Sequence, residues 1–340
     1  MHLITKIVVE IPNNDNTSGG VNRMLRFVTE LPYYSLTSGG IRDNIRIAKN
    51  FDPKMIVRFQ NIMEGYPILP LHWTVGRPDH TFPQCDICIT YSDNPYTEEL
   101  VKLPQIGKVF ILMLSYGMNL PVERRNVLNK KLTVLCSSKK IEKEILKEGV
   151  IVHRIGIALD MSEFYLEQRE RKNYLAILYN DMETKKYGTA VKIASILYRS
   201  KIIDGVISFG KKNGYESFKK PEGLVKHYSD ATPVQIREIF NTCKCYLIPS
   251  VTEGINLTPI ESTMCGCPAI ICDGAIDEIF FHEKNCFIVP KEDVKVMVEY
   301  CTEVIENYDK YAEPFRKEMI EVTKEMTWGK VMKNLIDILC

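Results

Sequence analysis

Short apolar runs alternate with helical patterns along almost the whole of this 340-residue chain, and the series starts over near residue 173. That alternation points to α/β architecture with parallel sheets, because each parallel crossover needs an intervening segment that is usually a helix. The first series offers Ile4–Ile11, Leu25–Glu30, Met55–Phe59, Asp86–Tyr91, Lys108–Leu114 and Leu132–Ser137 as strands. Among its helices, Ile41–Phe51 follows Thr37-Ser38-Gly39-Gly40, and Lys139–Glu148 stops at Gly149. Thr17-Ser18-Gly19-Gly20 repeats the glycine pair, and Leu25–Glu30 is preferred as the first core strand because Met55–Phe59 follows at βαβ distance.

The second series offers Asn173–Tyr179, Gly205–Gly210, Gly223–Tyr228, Cys245–Pro249 and Pro268–Cys272 as strands. Helices are expected at Thr189–Arg199, Pro233–Thr242 and Pro259–Cys265. Val294, Met297, Cys301, Val304, Ile305 and Tyr308 mark one face of a long helix at 3.6-residue spacing, and Trp328–Leu339 forms the last one. A restart of this kind, at more than twice the length of a typical domain, predicts two Rossmann-like lobes over 1–155 and 156–315.

Composition narrows the class. With 45% hydrophobic and 26% charged residues the chain can bury large cores, which excludes disorder and collagen-like repeats. The longest unbroken apolar run, Val109–Leu114, is far short of the roughly 20 residues that cross a bilayer. Met1–Asn14 has a lone Lys6 and acid at Glu10, unlike a secretory signal, so a cytoplasmic protein is expected. The 11 cysteines are expected to be reduced, buried thiols, since Cys85-x-x-Cys88 reads as a strand and no two matched pairs stand at zinc-knuckle spacing.

Formal charge is +1 overall, which gives no reason to expect nucleic-acid binding. It is unevenly divided: residues 1–155 carry +5 and residues 156–340 carry −4. Arg124, Arg125, Lys130, Lys131, Lys139, Lys140, Lys143 and Lys147 supply much of the excess. Such a run is either a solvated helix face or a patch for an anionic membrane surface or acceptor.

The chemistry is concentrated in Ile248–Ile271. Glu253 ends a buried strand, a Gly-containing loop follows, and a helix carries Glu261 before Gly266 and Pro268 lead into another strand. In parallel α/β lobes ligands bind at the carboxyl ends of strands, and helix N-termini favour anions. The amides of Ile255, Asn256 and Leu257 are therefore placed to face an anion, with Glu261 about one turn into the helix to accept hydrogen bonds from paired sugar hydroxyls.

The Glu253-Gly254-x-x-Leu257-x-x-x-Glu261 order and the trailing Met-Cys-Gly-Cys-Pro-Ala-Ile resemble the donor site of retaining GT-B glycosyltransferases, family 4 (glycosyl transferases group 1). Other segments match in order. Leu36–Lys49, with Gly39 and Gly40, looks like the family's first strand-to-helix turn; His153–Phe164 its interdomain segment; Ile177–Gly188 its basic phosphate loop; and Met326–Lys333 its Trp-bearing closing helix. The resemblance implies a C-terminal helix, 316–340, returning to the first lobe. It implies that Glu253 contacts the donor sugar, Glu261 the ribose, and Lys186 or its neighbour Lys185 the diphosphate. Tyr228, beside His227, marks where the base is sought. No metal cofactor is implied, consistent with the lack of an Asp-x-Asp motif.

The expected activity is transfer of a sugar from a nucleoside diphosphate sugar to an acceptor hydroxyl, with retention. The acceptor is open: a glycan, a lipid-linked molecule or a protein. Two departures matter. Asn180 and Asp181 stand where the family usually has an Arg, leaving Lys185, Lys211 or Lys212 as the second cation, and Ser115-Tyr116-Gly117 stands where many members carry a histidine. His72 and His227 read as structural or solvent-facing. A nucleotide-sugar epimerase or phosphorylase on the same fold, or a catalytically inactive scaffold, stays open as an alternative.

Overall fold

The computed structural model describes residues 7–8, 24–25, 27–31, 56–59, 73–75, 85–91, 97–113, 132–147, 149–159, 162–210, 214–275 and 278–339. Contacts divide the chain into two compact units, Met1–Ile157 with Trp328–Cys340, and Ala158–Thr327.

In the first unit, β1 (Ile7–Val8) and β2 (Met24–Leu25) form a small antiparallel pair. The main sheet is parallel throughout and comprises β3 (Phe27–Leu31), β4 (Ile56–Phe59), β5 (Trp73–Val75), β6 (Cys85–Tyr91), β7 (Ile106–Met113), β8 (Leu132–Cys136) and β9 (Val152–Arg154). Their spatial order is β5-β4-β3-β6-β7-β8-β9. The first core strand thus begins at Phe27, and Leu25 belongs to the small pair instead. Helices α1 (Thr97–Lys102) and α2 (Lys139–Lys147) lie in this unit, with Ile141 and Ile145 of α2 buried against β8 and β9. The expected helix at Ile41–Phe51, together with Gly39 and Gly40, lies outside the described residues, as do His72, Ser115–Gly117, Lys211 and Lys212.

In the second unit, strands β10 (Lys172–Tyr179), β11 (Gly205–Gly210), β12 (Leu224–Ser229), β13 (Cys243–Ile248), β14 (Ala269–Cys272) and β15 (Phe287–Val289) form a six-stranded parallel sheet ordered β12-β11-β10-β13-β14-β15. Its helices are α3 (Tyr187–Arg199), α4 (Pro233–Thr242), α5 (Leu257–Met264), α6 (Val294–Glu306) and α7 (Tyr308–Thr323). Helix α4 starts on a complete capping box, Thr232 with Gln235, and a proline in its first turn. The core packs α3 and α6 on one face of the sheet through Val191, Ala194, Leu197, Met297, Cys301 and Val304.

The stripe from Val294 to Tyr308 is two helices rather than one. Helix α6 ends at Glu306, Asn307 leaves helical geometry at φ −114°, and Tyr308 opens α7. The boundary expected at 315/316 falls inside α7, which stays with the second unit despite Pro314. It does so because Ala312, Phe315 and Met319 bury one stripe of the helix. The chain passes back to the first unit only at α8 (Trp328–Leu339), where Asn334 Nδ2 donates to Ile155 O at 3.0 Å. Among the described residues no helix is long and apolar enough to cross a membrane.

Candidate donor site

The strand order of the second unit reverses direction between β10 and β13, so the loops leaving their carboxyl ends diverge and open a crevice. Both loops carry residues singled out by sequence. After β10, Asn180 Oδ1 accepts from Met182 N at 2.9 Å, turning the chain into a 3-10 turn at Glu183–Lys185. After β13, Val251 N donates to Thr184 O at 2.9 Å and joins the two loops.

Across that junction Lys185 Nζ meets both carboxylate oxygens of Glu253 at 2.5 and 2.6 Å. The pair is largely buried, with side chains 19% and 11% exposed. Lys186 goes elsewhere. It sits in the left-handed region at φ +49°, ending the turn and preceding α3, and its Nζ lies 2.8 Å from Glu292. Hydrogen bonding to Glu292 raises the Lys186 pKa, and that lysine lowers the Glu292 pKa in return. Of the two lysines considered for the diphosphate, the structure therefore places Lys185 beside Glu253. Glu292 was not singled out in the sequence. Its position just past the carboxyl end of β15 is the signal that could have found it.

Helix α5 closes the crevice from the β13 side. Asn256 is its N-cap residue, but the side chain makes no capping bond. Its Oδ1 instead accepts from Thr258 Oγ1 at 3.0 Å, and Thr258 is held in turn by the Tyr246 hydroxyl at 2.9 Å. The first-turn amides of α5 are thus left without their usual side-chain acceptor, next to the positive end of the helix dipole. Glu261, the fifth residue of the helix, is 5% exposed. Burial raises the Tyr246 pKa, and the charges of Glu261 and Glu253 push it further.

Tyr228 lies near the carboxyl end of β12, half-buried, with Lys226 Nζ 4.0 Å from its ring centroid. The neighbouring His227 is structural: it stacks on Tyr215 with centroids 3.4 Å apart and shares a 3.1 Å hydrogen bond with Ser208. The ten described cysteines are all buried and outside any disulfide, and burial raises the thiol pKa of Cys267 and Cys286 to about 12. A pocket of about 580 Å³ opens at the opposite, N-terminal edge of the sheet, lined by Arg171, Lys244, Tyr308 and Arg316 among others.

Residues 216–326 match the family model for glycosyl transferases group 1, a span that takes in β12 to α7. No curated protein matches the chain by sequence. Among solved structures, a glycosyltransferase from Rickettsia africae is similar at 13% identity and a TM-score of 0.71, over 92% of this chain and 97% of that one. HepE of Anabaena in complex with UDP-glucose is similar at 13% identity and a TM-score of 0.73, over 92% and 99%. TarM of S. aureus is similar at 13% identity and a TM-score of 0.63, over 75% of this chain and 55% of TarM, so the chain spans about half of TarM's length. Residues 216–326 are thus similar to the glycosyl transferases group 1, and the chain has the two-unit parallel-sheet α/β fold of the GT-B glycosyltransferases.

Proposed function

We propose that this protein transfers a glycosyl group from a nucleoside diphosphate sugar to an acceptor hydroxyl, with retention at the anomeric carbon and without a metal ion. The observation that carries the reading is the largely buried Lys185–Glu253 pair at the switch point of the second unit, in the loop that leads into α5 and Glu261. A diphosphate needs fixed cations and amides, and a ribose needs a buried carboxylate. Lys185 comes from the turn after β10, and the amides and Glu261 both come from α5.

In this reading the donor's C–O bond to phosphate breaks while the acceptor oxygen bonds the anomeric carbon from the same face. The leaving phosphate oxygen takes the acceptor proton, so neither glutamate becomes covalently attached. Lys185 and the amides of Ile255, Asn256 and Leu257 carry the negative charge that grows on the leaving group. Without donor, Lys185 neutralises Glu253. With donor bound, the ammonium turns to the diphosphate and Glu253 is released to the sugar hydroxyls. Lys186, whose partner Glu292 is 63% exposed, is the second cation and a weaker one.

UDP and UDP-glucose are bound by the structurally similar HepE, so UDP-glucose is the first donor to try and UDP the first nucleotide. Titration calorimetry with UDP, GDP and ADP tests the reading, with micromolar to millimolar binding of one of them expected. Binding of none removes the donor site. The anomeric coupling of the product reports retention, and full activity after exhaustive chelation is expected. On the acceptor side, Lys139, Lys143 and Lys147 are exposed on α2 and suit an anionic surface. Co-sedimentation with anionic vesicles, lost at high salt, is the expected result.

A further inference from the structure

The carboxyl end of α5 is fastened from outside the helix by three side chains. Arg316 Nε donates to Met264 O at 3.1 Å, Arg171 Nη2 donates to Cys265 O, and the Tyr308 hydroxyl donates to Gly266 O at 2.6 Å. The preceding carbonyls are taken by main chain: Cys265 N to Glu261 O at 3.2 Å, Cys267 N to Ser262 O at 2.8 Å and Gly266 N to Thr263 O at 2.9 Å. The last four carbonyls of a helix lack a partner inside it and must find one outside or in a tightened last turn. Here every carbonyl from Glu261 to Gly266 has a donor, and two of the donors, those on Met264 O and Cys265 O, are guanidinium ions at the negative end of the dipole.

The fastening reaches beyond α5. Arg171 Nη1 donates to Phe240 O at 2.7 Å and to Cys243 O at 2.9 Å, so the same guanidinium ties the end of α4 to the end of α5. Gly266 makes room for it. At φ +76° the position favours glycine, and a Cβ there would lie 2.8 Å from Arg171 Nη2 and 2.9 Å from Leu166. Burial raises the Tyr308 pKa, so its hydroxyl stays protonated and donating at any working pH.

We propose that Arg171, Tyr308 and Arg316 are positioning residues for donor binding, a role that rests on the donor site described above. Helix α5 is one short rod whose residues from Pro259 to Met264 are buried, so it moves as a unit. Its length is about 12 Å at 1.5 Å per residue. Where the clamp holds Met264, Cys265 and Gly266 fixes where the Ile255–Leu257 amides and Glu261 stand at the other end. The arrangement also accounts for Gly266 in the tail of the motif.

The test is calorimetric binding of whichever of UDP, GDP and ADP the wild type takes up, alongside thermal melting. Tyr308→Phe and Arg316→Gln are made singly, each in the wild-type and in the Glu261→Gln background. Each single change is expected to weaken nucleotide binding by about 3- to 10-fold. In the Glu261→Gln background that penalty should shrink by half or more, while the loss in melting temperature stays the same in both backgrounds. Unchanged nucleotide affinity in both clamp variants, whatever the melting temperature, overturns the proposal. So does a penalty that adds in full to that of Glu261→Gln, because a merely structural role would produce it. Failure of the donor-site reading is separate and visible first, as a wild type that binds none of the three nucleotides.

Discussion

At the carboxyl edge of β10 and β13, Lys185 and Lys186 each hold a carboxylate; at the opposite edge, Arg171 and Arg316 hold main-chain carbonyls. The chemistry of the partner separates the two ends. A carboxylate paired with an ammonium at a crevice can be displaced by another anion. A helix-end carbonyl paired with a guanidinium cannot be replaced without leaving a buried acceptor unsatisfied. One end of α5 is therefore built for exchange and the other for permanence, although both use cations next to the same helix.

The sharpest way to break that distinction is to remove the two adjacent lysines in turn. Lys185→Ala is expected to lower kcat for glycosyl transfer by about 10²- to 10³-fold, the cost of losing one preorganised donor to a leaving group. Lys186→Ala removes an ion pair with a mostly exposed partner and should cost no more than about 5-fold. Initial rates with a saturating donor decide it. Equal losses would mean that the pairing with Glu253 does not mark the working cation.

Glu261 sharpens the same end. Its carboxylate is 5% exposed on a helix that the clamp holds still, so Glu261→Ala should raise the donor KM by about 10- to 100-fold, the worth of a charge-assisted hydrogen bond to a hydroxyl pair. The kcat should change by less than about 3-fold, because that contact is made equally in ground and transition states. A fall in kcat at constant KM would move Glu261 from the ribose to the reacting centre.

These residues also show what the sequence could and could not reveal. The strands of the second unit are legible because each is a buried apolar run bounded by turn residues: Gly205–Gly210 is found where it was expected, and Gly223–Tyr228 is found one residue later, at Leu224–Ser229. Glu253 and Glu261 are legible because strand end, loop and helix start follow one another in the chain. The choice between Lys185 and Lys186 is not, since it depends on a left-handed φ at Lys186 that turns two neighbouring side chains apart. Arg171 is invisible for another reason. Its partners lie 69 to 94 residues away, and carbonyl oxygens carry no side-chain signature. The break at Asn307 is hidden because Tyr308 continues the apolar spacing of α6 while its hydroxyl is already committed to Gly266.

The smallest expected effect lies in the fixed packing of β12 against Tyr215, on the carboxyl side of the sheet. His227 stacks on Tyr215, and its Nε2 is buried with no hydrogen-bond partner among the described residues. Burial lowers its pKa below the usual 6.5, outweighing Glu216 and Asp230, which favour the charged ring, while Lys220 adds to the lowering. The unfolded chain, with a histidine pKa of about 6.5, therefore binds this proton more readily than the folded one. The resulting stability is fully present above about pH 6.5 and is lost as pH falls toward the folded pKa. Melting temperatures at pH 7.5 and 5.5 should differ by about 1–3 °C less in His227→Phe than in the wild type, since phenylalanine keeps the stack on Tyr215 and has nothing to protonate. An unchanged pH dependence would assign the acid sensitivity to the carboxylates instead. A loss of nucleotide binding at pH 7.5 in that variant would bring this aromatic cluster into the exchanging end of the unit.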